Sequence, residues 1–202
     1  MNWKDVDIVL ECTGQFRDAS KSSIHLENGA RNVLISSPGI NVDRTVVYGV
    51  NHRDITKEDS IISSASCTTN CLAPIVKVLN DNFGIIRGSM TTIHSYTGDQ
   101  ATIDRRHDDL YRARAAALSM IPTTTGAAKA LKSVLPEMEG KIIGSAIRVP
   151  TPNVSCIDLH FYSEQDVDVE TVNELVKTAS ENEMKGIIGF ETRPLVLSLI
   201  HI

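Results

Sequence analysis

In this chain of 202 residues one thiol stands where chemistry needs it. Cys67 lies in Ser66-Cys67-Thr68-Thr69-Asn70-Cys71, between the extended apolar run Asp59 to Ser63 and the helically spaced run Leu72 to Leu79. That order predicts a strand, a tight junction, and a helix whose first turn holds Cys67. A thiol there faces unpaired backbone N–H groups and the positive end of the helix dipole, which favour thiolate over thiol. The plainer alternative is that Cys67 and Cys71 are two small apolar residues on one buried helix face. Zinc binding would need Cys67, Cys71 and a histidine such as His94 to converge, and the C-x-x-x-C spacing lacks a second paired motif, so no metal site is expected. A cysteine hydrolase would need an orienting Asn or Asp, which nothing nearby implies. Four cysteines (Cys12, Cys67, Cys71, Cys156) without a tight framework spacing suit a reducing compartment.

The elements that must position such a thiol can be read on either side of it. Val6 to Leu10 is a short apolar run that stops at Cys12-Thr13-Gly14, as a buried parallel strand does at a tight turn. Asp18-Ala19-Ser20 opens a helix ending at Gly29, and Asn32 to Ser36 is the next strand, closed by Ser37-Pro38-Gly39. Strand, helix, strand implies a right-handed parallel crossover. Val46 to Val50 and Ser60 to Ser63 read as two further strands. Together they predict an α/β unit, a partial Rossmann-type nucleotide-binding domain, whose ligand sits beyond the carboxyl ends of the strands at Thr13-Gly14 and Ser36-Ser37.

After Cys67 the pattern changes. Long strands over Gly84 to His94, Ile142 to Val149 and Val154 to Phe161, with few helices between, predict an α+β domain with a mainly antiparallel sheet. Val167 to Ala179 reads as an amphipathic helix with Val169, Val172, Leu175 and Val176 on its apolar face. Residues 97–117 form a long polar stretch rich in Arg and Asp, the kind of loop that is functional or lies at an interface. A net charge of −5 argues against a nucleic-acid surface. No apolar run approaches the ~20 residues of a membrane span, and Met1 to Asp5 has no signal-like apolar region, so a cytoplasmic protein is expected.

Ser66 to Cys71 resembles the active-site signature of the phosphorylating glyceraldehyde-3-phosphate dehydrogenases. The likeness extends to Leu10 to Gly14, Tyr48 to His52, His94-Ser95-Tyr96-Thr97, Arg112 to Ala117, Pro122 to Lys129 and Arg148 to Ser155, in the family's order and spacing, from Trp3 to about Val196. The resemblance implies a tetrameric NAD-dependent oxidoreductase of glycolysis, converting glyceraldehyde 3-phosphate, NAD and inorganic phosphate to 1,3-bisphosphoglycerate through a thioester on Cys67. It implies His94 as the base, and the Cys67 N–H with the His94 ring as the oxyanion site. Thr97, Asp99 and Arg148 would hold the substrate phosphate, with Arg112 on the same surface. Ser66, Thr68, Thr125 and Gly126 would hold inorganic phosphate, and Thr13, Gly14, Phe16, Ser36 and Ser37 would line the dinucleotide.

By the same resemblance, residues 1–66 are the C-terminal part of the NAD-binding domain, 67–196 the catalytic domain, and 97–117 the S-loop that touches a neighbouring subunit and its cofactor. Arg105-Arg106 stand in that loop where bacterial relatives carry an apolar residue and a proline, which leaves NADP open beside NAD. Erythrose-4-phosphate dehydrogenase is the nearest alternative; Tyr96 to Asp99 and Thr123 to Ala128 favour the glyceraldehyde enzyme. No G-x-G-x-x-G occurs in the chain, and the family carries that fingerprint on its first strand. The expectation is therefore an internal fragment, inactive alone, with an exposed sheet edge; the alternative is a non-catalytic fragment that only binds anions or parent subunits. The last six residues, 197–202, resemble a translated sequencing adapter and are expected to be non-native, with no role for His201.

Overall fold

The computed structural model describes residues 2–199. Its first part is a four-stranded, all-parallel sheet of β1 (Ile8–Glu11), β2 (Asn32–Ile35), β3 (Arg44–Thr45) and β4 (Ile61–Ser63), in the order β1-β2-β4-β3. Helix α1 (Ala19–Glu27) makes the β1–β2 crossover. Asp18 starts it by accepting a hydrogen bond from the Ser20 N–H at 2.9 Å, satisfying one of the donors a helix start leaves unpaired. Val33, Ile35 and Ile61 form the buried side of this sheet, packed against Ala19 and Leu26 of α1. β1 is an edge, and its Ile8 and Leu10 are 56% and 64% exposed, so the strand read from its apolar run as buried is covered on one face only and leaves apolar surface open.

The strand expected over Val46 to Val50 is not there. β3 is two residues long and ends at Thr45. Beyond it the Asn51 side chain accepts from the Val47 N–H at 2.9 Å and donates to the Thr45 carbonyl at 2.9 Å, folding the chain into turns. Val47 is apolar because it is buried in the main core, not because it lies on a strand.

The second part is a mixed sheet of β5 (Ile85–Ser95), β6 (Ile121–Thr124), β7 (Ile142–Val149) and β8 (Ser155–Ser163), in the order β6-β7-β5-β8. β5–β8 and β6–β7 are antiparallel, whereas the central β5–β7 pair is parallel. With its helices this is an α+β unit. β6 is not legible beforehand, because Ile-Pro-Thr-Thr has neither apolar alternation nor length.

Helix α2 (Cys67–Phe83) joins the two parts and carries the largest core. Leu72, Ala73, Val76, Leu79 and Phe83 recur at helical spacing and pack with Ile85, Met90 and Leu131. Each such burial contributes about 1.5–3 kcal/mol for a large side chain. Pro74 lies inside α2 and lacks the N–H that would bond the Asn70 carbonyl. Helix α4 (Val169–Glu181) is capped by Asp168, which accepts from the Thr171 N–H at 2.8 Å. Val172 and Leu175 meet the core and Ala179 is buried, but Val169 is exposed, a correction to the expected apolar face.

No helix or strand occurs between Ser95 and Ile121. That loop is tied to itself by the Ala116 N–H donating to the Ala101 carbonyl at 2.8 Å and the Arg105 N–H to the Ala113 carbonyl at 2.9 Å. Of the tail, Leu197–Leu199 form a single 3-10 turn, while His201 and the rest of 200–202 lie outside the described residues. Among the described residues no helix is long and apolar enough to cross a membrane.

Candidate functional site

The junction before α2 is held from several sides. The Ser66 hydroxyl accepts from the Thr69 N–H at 3.0 Å and pairs with the Thr69 hydroxyl at 2.7 Å, while Asn70 Nδ2 donates to the Ser64 and Ser66 carbonyls at 2.7 and 2.9 Å. Ala65 is left-handed, with φ 59°. Cys67 is thus the first residue of a 17-residue helix, where the leading N–H groups have no intrahelical partner. Cys67 and Cys71 are both exposed, so the alternative of two buried apolar cysteines fails.

His94 reaches this thiol from β5, its Nε2 3.3 Å from Cys67 Sγ. The ring is buried, and strand register sets Arg148 of β7 on one side of it and Ser155 of β8 on the other. Its Nδ1 is 2.7 Å from the Ser95 carbonyl, and Arg148 Nη1 donates to that same carbonyl at 2.8 Å. Arg148 Nη1 also lies 2.9 Å from His94 Nδ1. Nδ1 thus meets a donor and an acceptor at once, and the shorter contact, to the carbonyl, fits a proton on Nδ1 with Nε2 directed at sulfur. The Ser95 N–H donates to the Val154 carbonyl at 3.0 Å, and Val154 is itself left-handed (φ 66°), a conformation a β-branched residue adopts only when its surroundings impose it.

These contacts shift both groups. The hydrogen bond from His94 lowers the Cys67 pKa from 9.0 to about 7 against its partial burial, with help from the imidazole's charge and from Thr68. Bonding to Cys67 raises the His94 pKa, against its burial and the nearby Arg148 charge, with the Ser95 carbonyl assisting. The pair therefore favours thiolate–imidazolium near neutral pH.

Around this pair lie the other expected residues. Asp99 accepts from Arg112 Nη1 and, at 3.0 Å, from Gln100 Nε2. Arg112 Nε donates to the Thr123 hydroxyl at 3.0 Å, and the Thr97 hydroxyl donates to Gln100 Oε1 at 3.3 Å. Burial pushes the Arg148 pKa down, and the charges of Cys67, Arg112 and Asp99 all reach it, so these groups share one electrostatic neighbourhood. Arg148 Nε is a buried donor with no partner among the described residues. Gln100, buried and bonding both Thr97 and Asp99, went unnoticed in the sequence because a single Gln in a loop carries no pattern.

Thr68 is buried with its hydroxyl 4.0 Å from Cys67 Sγ. Ser66 spends its hydroxyl on the helix cap. Thr125 Oγ1 accepts from the Ala127 N–H at 3.2 Å at the start of the short α3 (Ala127–Ala130), and Gly126 precedes it with open space around it. No hydrogen bond joins Thr125 or Gly126 to the Cys67 cluster among the described residues.

The remaining candidates gather beyond the carboxyl ends of β1 and β2. Gly14 holds the turn at φ +74°, open to solvent. Thr13 donates its N–H at 2.8 Å and its hydroxyl to the Glu11 carboxylate. Phe16 lies 5.6 Å from the His25 ring, the Ser36 N–H donates to the Glu11 carbonyl at 3.0 Å, and Ser37 Oγ is buried without a partner among the described residues. Glu11 and His25, which support this group, went unnoticed because their meeting depends on how α1 packs on β1.

Comparison with known proteins agrees with this arrangement. Residues 66–201 match the family model described as glyceraldehyde 3-phosphate dehydrogenase, C-terminal domain. The chain is 58% identical over 196 residues to a glyceraldehyde-3-phosphate dehydrogenase of Cereibacter sphaeroides, covering 97% of this chain and 59% of the relative. It is 59% identical over 191 residues to one from Xanthobacter flavus, covering 95% and 57%, and 57% identical over 192 residues to one from Geobacillus stearothermophilus, with the same coverage. The chain thus spans somewhat more than half the length of these curated relatives. A helix-start thiol paired with a buried histidine, and a match that takes in most of the chain, together place it: the chain belongs to the glyceraldehyde 3-phosphate dehydrogenase family, through its C-terminal domain.

Proposed function

We propose that this chain is part of a phosphorylating glyceraldehyde-3-phosphate dehydrogenase of glycolysis, with Cys67 as nucleophile and His94 as base. The observation that carries the reading is the 3.3 Å approach of His94 Nε2 to a thiol at the start of α2. Cys67 thiolate attacks the aldehyde carbon, forming a C–S bond, and the resulting alkoxide is met by the Cys67 N–H and by the proton on His94 Nε2. Nε2 holds the hydroxyl proton when the C–H bond breaks, leaving a thioester on Cys67. Inorganic phosphate attacks that thioester, and its collapse releases the acyl phosphate and restores the thiolate beside imidazolium. Arg148, whose Nε is a buried donor with no partner among the described residues, anchors the substrate phosphate with Thr97, while Asp99 stands at the same site and holds Arg112 beside it. Ser66, Thr68, Thr125 and Gly126 hold the attacking phosphate.

The open Gly14 turn and the orphaned Ser37 hydroxyl fit a dinucleotide laid across the ends of β1 and β2, with Thr13, Phe16 and Ser36 beside it. NAD bound there supplies the hydride acceptor, and Arg105-Arg106 keep NADP as the competing choice. Residues 1–66 belong, in this reading, to the nucleotide-binding domain and 67–196 to the catalytic domain, within a cytoplasmic homotetramer. Ile103, Leu110, Tyr111 and Leu118, all exposed on the 97–117 loop and just beyond it, are suited to a subunit contact.

The test is covalent. Glyceraldehyde 3-phosphate should protect Cys67 from alkylation, followed by peptide mass spectrometry, while glyceraldehyde without the phosphate should protect far less. Equal protection by both would remove Thr97, Asp99 and Arg148 from the substrate site, and no protection by either would remove the reading.

A further inference from the structure

Glu11 and His25 form a buried acid–base pair that the chemistry above does not use. Glu11 closes β1, His25 lies on α1, and each is only 4% exposed. A carboxylate so far from water is destabilising unless its lone pairs are met. Here Oε1 accepts the Thr13 N–H at 2.8 Å and the Thr13 hydroxyl, and Oε2 lies 3.1 Å from His25 Nε2. On the far side of the ring, Trp3 Nε1 donates to His25 Nδ1 at 3.2 Å. An indole can only donate, so Nδ1 carries no proton and Nε2–H is left to donate to the carboxylate. Burial pushes the Glu11 pKa up, but Thr13's hydroxyl and N–H, with His25, outweigh it and hold the group ionised.

This relay ends at the turn. Thr13 has both donors committed inward to Glu11, while its hydroxyl oxygen still accepts from the Gln15 N–H at 3.2 Å. Gly14 follows in the left-handed region, with nothing near the position a side chain would take. The anchor of the turn is thus a single carboxylate, and the anchor of that carboxylate is His25 as oriented by Trp3.

We propose that the Trp3–His25–Glu11 relay is a positioning device that holds the Thr13–Gly14 turn in the one shape a dinucleotide can meet. The proposal rests on the nucleotide reading above. Glu11 and His25 are positioning residues and touch no ligand. Because no hydrogen bond joins the relay to Cys67 among the described residues, its loss weakens dinucleotide binding while leaving the thiol's reactivity alone.

The test uses the 202-residue chain, NAD as probe and calorimetry as readout, with Cys67 modification rates measured in parallel. Trp3 is the only tryptophan in the sequence, so its emission reports the relay directly. Glu11→Gln should weaken NAD binding at least tenfold and shift Trp3 emission, with the Cys67 rate unchanged. His25→Gln, whose amide can donate to Glu11 and accept from Trp3, should keep binding within about threefold, as a conservative replacement should. Should Glu11→Gln fail to fold, His25→Leu removes the same support from the other side and should give the same loss. Wild-type binding in Glu11→Gln or His25→Leu would overturn the proposal, as would a parallel fall in Cys67 reactivity. Failure of the unsubstituted chain to bind NAD would overturn the nucleotide reading, and the proposal with it, before any variant is compared.

Discussion

Replacing His94 with Asn should change how fast Cys67 reacts in opposite directions at neutral and at high pH. The imidazole is the first cause of the fall in the Cys67 pKa from 9.0 to about 7, and without it the thiol should return toward 9.0. At pH 7 the thiolate fraction would drop from about one half to about one hundredth, roughly 50-fold. The more basic thiolate is the stronger nucleophile, however, and a Brønsted slope of about 0.4–0.5 over two units returns roughly 8-fold. The net expectation is a rate about 6-fold lower at pH 7. Above pH 9.5, where both thiols are ionised, the variant should be about 8-fold faster, and the two curves should cross a little above pH 8. The assay is modification by a small disulfide reagent from pH 5 to 10, with Cys67 followed by peptide mass because Cys12 and Cys71 are also exposed. Curves that never cross would refute the argument, for then the histidine would not be what holds the thiolate. A parent curve with its midpoint near 9 would refute it equally.

Three further outcomes follow from the same structure. Ser66→Ala removes the oxygen that accepts from the Thr69 N–H and should lower stability by about 1 kcal/mol in urea unfolding, with the Cys67 peptide exchanging amide hydrogen faster. Asp99→Asn removes one of the two carboxylates that pair with Arg112, leaving Asp109 at 3.4 Å from its Nε, so inorganic phosphate should protect Cys67 from modification at roughly 5-fold lower concentration, an effect that should fade as salt is raised. Asp59, which accepts from Arg44 Nε at 2.7 Å, has its folded pKa held below the ordinary 3.8, first by that bond and then by the Thr56 N–H. Its contribution is therefore fully present above pH 3.8 and lost as pH falls through the lower folded value. Asp59→Asn should flatten that part of the acid limb, and an unchanged slope of urea midpoint against pH below 4 would count against the pairing.

What the sequence by itself determined was local. The extended run before Ser66 and the helical period after Cys71 placed Cys67 at a helix start, and Asp18-Ala19-Ser20 marked α1; that Ser66 and Asp168 are the caps of α2 and α4 came only with the structure, Asp168 having been read inside its helix. The short parallel strands β1, β2 and β4 were readable as continuous apolar runs bounded by turns, although β1 proved to be an edge with one face exposed. These signals act over a few residues, and a pattern of side chains can carry them. The two-residue β3 and the Pro- and Thr-bearing β6 were not readable, since pairing with β4 and β7 defines them and their own composition does not. The alignment of His94 was likewise a tertiary matter. Arg148 lies 54 residues away and meets the ring only because β5 and β7 pair in one register, and the Ser95 carbonyl they share fits a proton on Nδ1. The Arg112–Asp99 and Glu11–His25 pairs belong to the same class. A charge's partner depends on which strands and helices pack beside it, and hydrophobic periodicity says which face is buried without saying what that face will touch.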